Sequence, residues 1–225
     1  GFEDILCYNL LNKIFILYHF MFRRKIMEQN YNRRIKYLTQ QETRNLFMEI
    51  SNLKNIHNTR NLAIFRIAYR CALRASEIAL IRLQDYNAGK GELYCKRLKG
   101  SCNNTIRLDS KTKAALDKYI SEANISSNSE VLFKSQKNKP ISRQTLDYLM
   151  KKYCMLAKID DKSKHHFHTL KHTAAVHLAE SDMDIKELQW WLGHKSVSNT
   201  EIYFQFTTKQ QEKMYAKLEK NSEMV

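Results

Sequence analysis

The sequence predicts a mainly helical α+β domain with a small antiparallel β-sheet. Apolar residues recur at helical spacing along most of the 225-residue chain, whereas one segment alternates between apolar and polar residues as a β-hairpin does. The chain has five glycines and one proline, which leaves few turn-forming residues for a many-stranded barrel or sandwich. Hydrophobic residues make up 43% of the sequence, so the chain can bury a core and is not disordered throughout.

The first 37 residues are predicted to be a helical segment followed by a linker. Residues 5–22 are rich in Leu, Ile, Phe and Tyr, but polar residues interrupt them. An amphipathic helix to about Asn30 therefore fits better than a signal peptide or a membrane span. The stretch from Asn30 to Lys36 is polar and basic, as linkers often are. Thr39 and Glu42 then form a capping box that opens a new helix, so we place a domain boundary at residues 31–38.

Beyond this boundary, helical segments surround one predicted hairpin. Ser110 is predicted to cap a helix that runs to about Glu122. Residues 92–97 and 104–108 favour β-structure and are separated by turn-forming residues, which places Lys99 near the tip of a hairpin. Apolar spacing predicts further helices at Leu62, Phe65, Ile67 and Cys71, and at Leu146, Leu149 and Tyr153. Capping boxes at Asp184–Glu187 and Ser198–Glu201 predict two short helices, and Gly193 is expected to end the first of them. The tail from Thr208 to Asn221 is predicted to be another amphipathic helix.

The charge of the chain predicts a polyanionic partner. Its 38 Lys and Arg outnumber 23 Asp and Glu, so the net charge is +15. Nucleic acid and an anionic membrane surface both fit this charge, and we favour nucleic acid. The glycine-rich phosphate motifs of nucleotide-driven motors and Rossmann dehydrogenases are missing from the sequence. Five scattered cysteines without a C-x-x-C pair indicate a reducing compartment, and neither a disulfide framework nor a zinc ribbon.

Three short segments put reactive side chains into apolar surroundings. Each has a plain structural explanation when taken alone, such as an i, i+3 ion pair on a helix surface or a half-buried aromatic ring. The three segments are Arg74–Glu77, His168–His172 and His194–Tyr203.

Taken together, these segments resemble the tyrosine recombinase, or phage integrase, family in order and spacing over residues 38–206. The family's patterns are G-L-R-x-S-E, a G-K-G on a hairpin, H-x-L-R-H-T, and L-G-H followed nine residues later by Tyr. They are matched here by Ala72-Leu-Arg74-Ala-Ser-Glu77, by Leu98-Lys99-Gly100, by His168-Thr-Leu-Lys171-His172-Thr173, and by Leu192-Gly-His194 with Tyr203. The L-G-H plus Tyr block is the most specific match, and the Lys99 match is the least specific because Lys96 lies close by.

The resemblance implies a domain organisation and a reaction. Residues 38–225 would be a tyrosine recombinase catalytic domain, and residues 1–37 would be the end of a core-DNA-binding helical domain plus a linker. Members of the family cut DNA by attack of a Tyr hydroxyl on a phosphodiester. The attack gives a 3′-phosphotyrosine and a free 5′-hydroxyl, and it requires no ATP, metal or other cofactor.

The resemblance also implies a role for each matched residue. Tyr203 would be the nucleophile, with His168 as its base or hydrogen-bond partner, and Lys99 would protonate the departing 5′-oxygen. The phosphate oxygens would be held by Arg74, Lys171 and His194. Glu77 would orient Arg74 or a histidine, and His172 would give structural support. DNA-backbone contacts are assigned to four basic residues outside these roles: Arg33, Arg34, Lys96 and Arg97.

Lys171 departs from the family pattern, which has Arg at this position. Lysine keeps the positive charge but lacks the planar fork that binds two phosphate oxygens at once. Losing one charge-assisted hydrogen bond costs about 1.5–3 kcal/mol, so we expect a slower or differently tuned enzyme. A catalytically impaired relative that only binds DNA remains an alternative.

Other interpretations stay open. A type IB-like topoisomerase activity would use the same residues, and a plain DNA-binding module would share the charge. His168 and His172 have i, i+4 zinc-ligand spacing, but Thr169 stands where a zinc protease motif needs Glu, so no metal is predicted. We expect double-stranded DNA as partner, a homotetramer on DNA, a monomer or weak oligomer when free, and no membrane association. The expected location is the bacterial cytoplasm, with nucleoid association when the protein is bound to DNA.

Overall fold

The computed structural model describes residues 35–204, 215–217 and 219. Within this part, helices and a three-stranded antiparallel sheet form the α+β fold that the sequence predicts. The helices are α1 (Gln40–Asn52), α2 (Asn58–Arg70), α3 (Ala75–Ile78), α4 (Ser110–Glu122), α5 (Arg143–Leu156), α6 (His168–Glu180), α7 (Ile185–Leu192) and α8 (Ser198–Glu201). The strands are β1 (Tyr86–Asn87), β2 (Glu92–Cys95) and β3 (Asn104–Arg107), and two short 3₁₀ segments lie at Leu83–Asp85 and Lys162–Lys164.

Helices α2 and α6 lie at the centre of the domain. Helix α2 packs against α1, α4 and α6, and Phe65 of α2 meets Phe167 edge to face with ring centroids 5.4 Å apart. Helix α6 buries residues on nearly every side, which is typical of a core helix rather than a surface helix. Side chains at the start of α6 are therefore mounted on a rigid element.

Two of the predicted capping boxes are confirmed. The Thr39 hydroxyl accepts the Glu42 backbone N–H at 3.1 Å, and the Glu42 carboxylate accepts the Thr39 backbone N–H at 2.7 Å. The backbone N–H of Leu38 also donates to Thr173 Oγ1 at 2.9 Å, which ties the beginning of α1 to α6. Asp184 and its N3 partner make the same reciprocal pair at the start of α7.

Two other predicted helix starts differ from the structure. Helix α4 is capped by Asp109, whose side chain accepts the Thr112 backbone N–H at 3.0 Å, so Ser110 is the first helical residue rather than the cap. The predicted capping box of Ser198 is wrong, because α8 follows Val197 in helical conformation without a side-chain cap. The Ser198 hydroxyl instead pairs with that of Ser196 at 2.7 Å.

The predicted hairpin is confirmed as strands β2 and β3. Glu92 pairs with Arg107 and Cys95 pairs with Asn104, so both strands are shorter than the sequence suggests. Residues 96–103 form the long loop between them, and Lys99 lies in this loop with φ of +56°. The sequence did not predict β1, because a strand of two residues is too short to show an alternating pattern.

Several predictions fall outside the described residues. These are the N-terminal helix to Asn30, the linker, the DNA contacts of Arg33 and Arg34, and most of the tail helix from Thr208 to Asn221, of which residues 215–217 are helical. The chain divides after Ile35 into two units, and the second unit contains all the helices and strands given above. No helix in the described part of the chain is long and apolar enough to cross a membrane.

Candidate active site

The six residues predicted to be catalytic line one open cavity of about 430 Å³. Four segments supply its walls: the turn into α3, the loop between β2 and β3, the start of α6, and the chain from the end of α7 through α8. These segments are far apart in sequence, so the fold brings the predicted residues together. The lining residues are Arg74, Lys99, Gly100, Ser101, His168, Lys171, His172, His194, Lys195, Ser196, Asn199, Ile202 and Tyr203.

Arg74 is held in place by Glu77, which the resemblance had given as a partner of either Arg74 or a histidine. The guanidinium of Arg74 donates to one carboxylate oxygen of Glu77 at 2.8 Å, and its backbone N–H donates to the other at 2.8 Å. Glu77 is 1% exposed and also accepts the Leu98 backbone N–H at 3.0 Å. Burial opposes its ionisation, but the backbone hydrogen bonds from Arg74 and Leu98 keep the pKa of the carboxyl below its usual range. Glu77 thus serves both the arginine and the hairpin loop.

Lys171 lies deep in the cavity wall, with 2% of its surface exposed. Its ammonium donates to the carbonyl oxygen of Ala72 at 3.2 Å. Burial, and then the positive charge of Arg74, lower the pKa of Lys171 to about 7. Ala72 has φ of +50°, which is uncommon for a residue other than glycine, and this turn directs its carbonyl toward Lys171 and Arg97.

Tyr203 contacts His172 rather than His168. Its hydroxyl lies 3.0 Å from His172 Nδ1, and the tyrosine is only 4% exposed. The prediction that gave this contact to His168 and only structural support to His172 is wrong on that point. Burial raises the pKa of Tyr203 to about 12, and burial together with the neighbouring His168 lowers the pKa of His172 to about 3. At neutral pH the pair is therefore a neutral phenol beside a neutral imidazole.

Two neighbours hold His194, one through its ring and one through its backbone. Its Nδ1 lies 3.0 Å from the hydroxyl of Thr200, a residue with no exposed surface. Gln189 donates its side-chain amide to the His194 carbonyl at 3.0 Å. Burial, followed by the charge of Lys171, lowers the pKa of His194 to about 4, so the ring is neutral at pH 7. No signal in the sequence indicates the Thr200 contact, because it depends on how the chain folds back at α8.

Arg97 is not a DNA-contacting side chain, so this prediction is wrong. Its side chain has no exposed surface, and its guanidinium donates to the backbone carbonyls of Cys71, Ala72 and Trp191 and to Asn104 Oδ1 at 2.9–3.2 Å. A pair of basic residues in a sequence does not show which of the two faces solvent.

Lys96, the other half of that basic pair, remains partly accessible. Its ammonium makes an ion pair with Asp85 at 2.9 Å, and 37% of its side chain is exposed. Most of its charge is thereby matched within the protein, and its contact with DNA stays a prediction.

Gly193 joins the end of α7 to the hairpin loop. It has φ of +68°, and a Cβ at this position would lie 2.4 Å from the carbonyl oxygen of Cys102. The Cys102 backbone N–H donates to the Gly193 carbonyl at 2.7 Å. The loop that carries Lys99 therefore rests directly on the residue before His194, and only glycine permits so close an approach.

Replacing Gly193 with Ala is expected to lower the free energy of unfolding by about 2–4 kcal/mol, because left-handed strain and a backbone clash add together. Urea denaturation checks this value. Gly91→Ala is the matched control, since Gly91 has φ of +64° but faces only the flexible Lys113 side chain at 3.4 Å. Equal losses in the two variants would contradict the proposed clash.

No group of three or more His, Cys, Asp or Glu side chains suited to a metal ion occurs among the residues that the structure describes. The i, i+4 histidines, His168 and His172, instead pack edge to face with ring centroids 4.4 Å apart. The second of them is engaged by Tyr203. Both rings thus belong to the wall of the cavity.

The fold is that of a tyrosine recombinase catalytic domain. The chain superposes on XerH site-specific recombinase bound to palindromic difH substrate with a TM-score of 0.70 and 20% identity, over 82% of this chain and 54% of that one. It also matches the catalytic domain of bacteriophage HP1 integrase, with a TM-score of 0.58 and 19% identity, over 80% of this chain and 92% of that one. Residues 36–210 match the model of the phage integrase family, and the chain belongs to this family.

The curated relatives that this chain matches are tyrosine recombinases. Tyrosine recombinase XerC of Caldanaerobacter subterraneus subsp. tengcongensis is 33% identical over 170 residues, which cover 74% of this chain and 46% of the relative. Tyrosine recombinase XerD of Oceanobacillus iheyensis is 31% identical over 163 residues, which cover 70% of this chain and 54% of the relative. The chain thus spans about half the length of the curated relatives that it matches.

Proposed function

We propose that this protein is a site-specific DNA recombinase that cleaves and rejoins strands through a 3′-phosphotyrosine on Tyr203. The observation that carries the proposal is the position of the Tyr203 hydroxyl, which is hydrogen-bonded to His172. Both residues line a cavity that Arg74, Lys99 and Lys171 also line. A nucleophile, a proton acceptor and several cationic groups in one cavity are what phosphoryl transfer needs.

The first half of the reaction begins at the hydroxyl of Tyr203. In the tautomer of His172 that is protonated at Nε2, Nδ1 accepts the phenol proton while the phenol oxygen attacks phosphorus in line. Negative charge grows on the non-bridging oxygens of the phosphate. Arg74 and Lys171 supply cationic donors to these oxygens, and neutral His194 supplies an N–H from Nε2 while its Nδ1 is engaged by Thr200.

In the second half of the cleavage step the 5′-oxygen leaves, and strand joining then follows the same path in reverse. The bond from phosphorus to the 5′-oxygen breaks, and the exposed ammonium of Lys99 donates a proton to that oxygen. The products are a tyrosyl 3′-phosphodiester and a free 5′-hydroxyl, so the energy of the broken bond is kept. Attack by a 5′-hydroxyl of another strand restores the DNA backbone and the phenol. The reaction therefore balances without ATP, and we expect it to proceed without a metal ion.

Double-stranded DNA is the proposed partner. The net charge of +15 favours it, and solved relatives of the same fold include a Tn1549 transposon integrase in complex with transposon right-end DNA. Recombination between two sites requires paired strand exchanges, so we propose a tetramer on DNA. We also assign residues 1–37 to the end of a preceding DNA-binding domain and its linker.

Covalent capture tests the reaction class. The protein is incubated with supercoiled plasmid and with nicked oligonucleotide duplexes in EDTA, the reaction is stopped with SDS, and DNA-linked protein is collected. We expect an adduct, and mass spectrometry of the nuclease-trimmed peptide should place the nucleotide on residue 203.

Other outcomes separate the alternatives. Plasmid relaxation without joining of two different duplexes would indicate a topoisomerase. Salt-sensitive DNA binding with no adduct would indicate a catalytically impaired relative. An adduct on another residue would contradict the assignment of Tyr203.

A further inference from the structure

Arg97 is a buried cation that the proposed reaction does not use. It lies two residues before Lys99, has a side chain without exposed surface, and spreads its donors over three parts of the fold. It reaches the turn after α2 through Cys71 and Ala72, the last turn of α7 through Trp191, and the start of β3 through Asn104.

The hydrogen-bond donors of Arg97 allow it to hold several main-chain segments together. A buried charge needs hydrogen-bond partners or a counter-charge, and its nearest carboxylate oxygen, on Glu77, lies 3.9 Å away. The acceptors at 2.9–3.2 Å are instead three backbone carbonyls and the side-chain oxygen of Asn104. The planar guanidinium has five N–H donors that point in fixed, separate directions, whereas an ammonium has three donors on a single nitrogen.

Two other contacts hold the same loop. On one side of Lys99, the Leu98 N–H donates to Glu77, and on the other side, the Cys102 N–H donates to the carbonyl of Gly193. Asn104 adds hydrogen bonds to the carbonyls at the end of α7 at 2.7 and 3.0 Å. Arg97 bonds to the turn that leads into α3 and to the last turn of α7, next to these two anchor points, so its loss would loosen the loop as a unit.

We propose that Arg97 is a positioning residue, which docks the loop of residues 98–103 between the turn after α2 and the end of α7 and thereby holds Lys99 at the departing 5′-oxygen. The docking follows from the contacts of Arg97 alone, whereas the role given to Lys99 rests on the proposed function. The two parts are therefore tested by separate measurements.

Hydrogen–deuterium exchange tests the docking without any substrate. In Arg97→Met, the backbone amides of Leu98 and Cys102 are expected to exchange at least about tenfold faster, while amides of helix α4 keep their protection. Arg97→Lys keeps the charge but satisfies fewer carbonyls, and it should fall between wild type and Met. Arg107→Met, at an exposed position on the same hairpin, is the matched control. Unchanged exchange at residues 98–103, or an equal rise throughout the protein, would overturn the proposal.

A sulfur-substituted substrate tests the link to Lys99. When the 5′-oxygen at the cleavage site is replaced by sulfur, the leaving group departs as a thiolate and needs no proton. Arg97→Met should cleave the ordinary substrate at least about tenfold more slowly than wild type, and it should approach the wild-type rate on the sulfur substrate, as Lys99→Met should.

The outcomes distinguish the two parts. If Lys99→Met recovers but Arg97→Met does not, Arg97 does not act through Lys99 and the positioning role is overturned. If Lys99→Met itself fails to recover, the role assigned to Lys99 in the proposed function is wrong. The docking role of Arg97 is then decided by the exchange measurement.

Discussion

Tyr203→Phe is expected to abolish covalent attachment to DNA and to lower the rate of strand cleavage by on the order of 10⁴-fold or more. The substitution removes the attacking oxygen and leaves the ring in place, because phenylalanine fills the same 4% exposed position. Covalent capture with SDS measures the loss of attachment, and a filter-binding assay measures DNA affinity. DNA binding should persist, since the cationic side chains of the cavity are untouched.

A second tyrosine provides the matched control. Tyr119 is 7% exposed and donates its hydroxyl to the carbonyl of Leu132 at 2.7 Å, outside the cavity. Tyr119→Phe removes a buried hydroxyl that is engaged in one hydrogen bond, as Tyr203→Phe does, and it should cost similar stability. It should form adduct at nearly the wild-type rate. Adduct formation by Tyr203→Phe would contradict the mechanism directly.

Lys171→Arg is expected to remove a pH dependence from cleavage. Lys171 has a pKa of about 7 in the free protein, so it is charged below neutral pH and loses its charge as the pH rises through 7. Arginine stays charged throughout this range. The wild-type rate at low DNA concentration should therefore fall between pH 7 and 9, whereas the rate of the arginine variant should not.

The size of the fall follows from one hydrogen bond. A charge-assisted bond to the phosphate contributes about 1.5–3 kcal/mol, so the wild-type rate should level off about 10- to 100-fold below its value at low pH. His172 and His194, with pKa values of about 3 and 4, are already neutral at pH 6, and Tyr203 titrates near 12. Lys171 is therefore the group among these four that changes charge near neutrality.

The measurement is a single-turnover rate of adduct formation between pH 6 and 9 at constant ionic strength, with DNA below saturation so that the free protein's pKa is observed. Coinciding pH profiles for the two proteins would contradict this role of Lys171. A clear loss of cleavage by Lys171→Arg at pH 6.5, where both side chains are charged, would show that the cavity requires lysine for its shape.

The elements that the sequence predicted well are those with local signals. The reciprocal hydrogen bonds of Thr39 and Glu42 lie within four residues of the chain. Gly193, in left-handed conformation, comes immediately after the helix that it ends. The motif residues came from resemblance, and the structure brings them to one cavity. Their catalytic roles remain predictions.

The errors at the candidate site concern contacts between segments distant in sequence. Arg97 has the sequence context of a surface cation, but it lies where the hairpin, the turn after α2 and the end of α7 meet. The contact of Tyr203 with His172 depends on how α8 returns to α6. The i, i+4 spacing of His168 and His172 does show that they share a helix face, so the sequence could have offered both as partners of the tyrosine.

The arrangement around Glu77 sets a thermodynamic balance between folding and ligand binding. Its carboxylate contacts Arg74 and Arg97, while Lys171 is buried beside them with a carbonyl as its acceptor. Three cationic side chains therefore share one carboxylate, so the cations in this part of the core repel one another and the rest of the core has to overcome that repulsion. On the proposed function, a phosphodiester bound among these cations supplies further negative charge, so binding of DNA is expected to stabilise the domain.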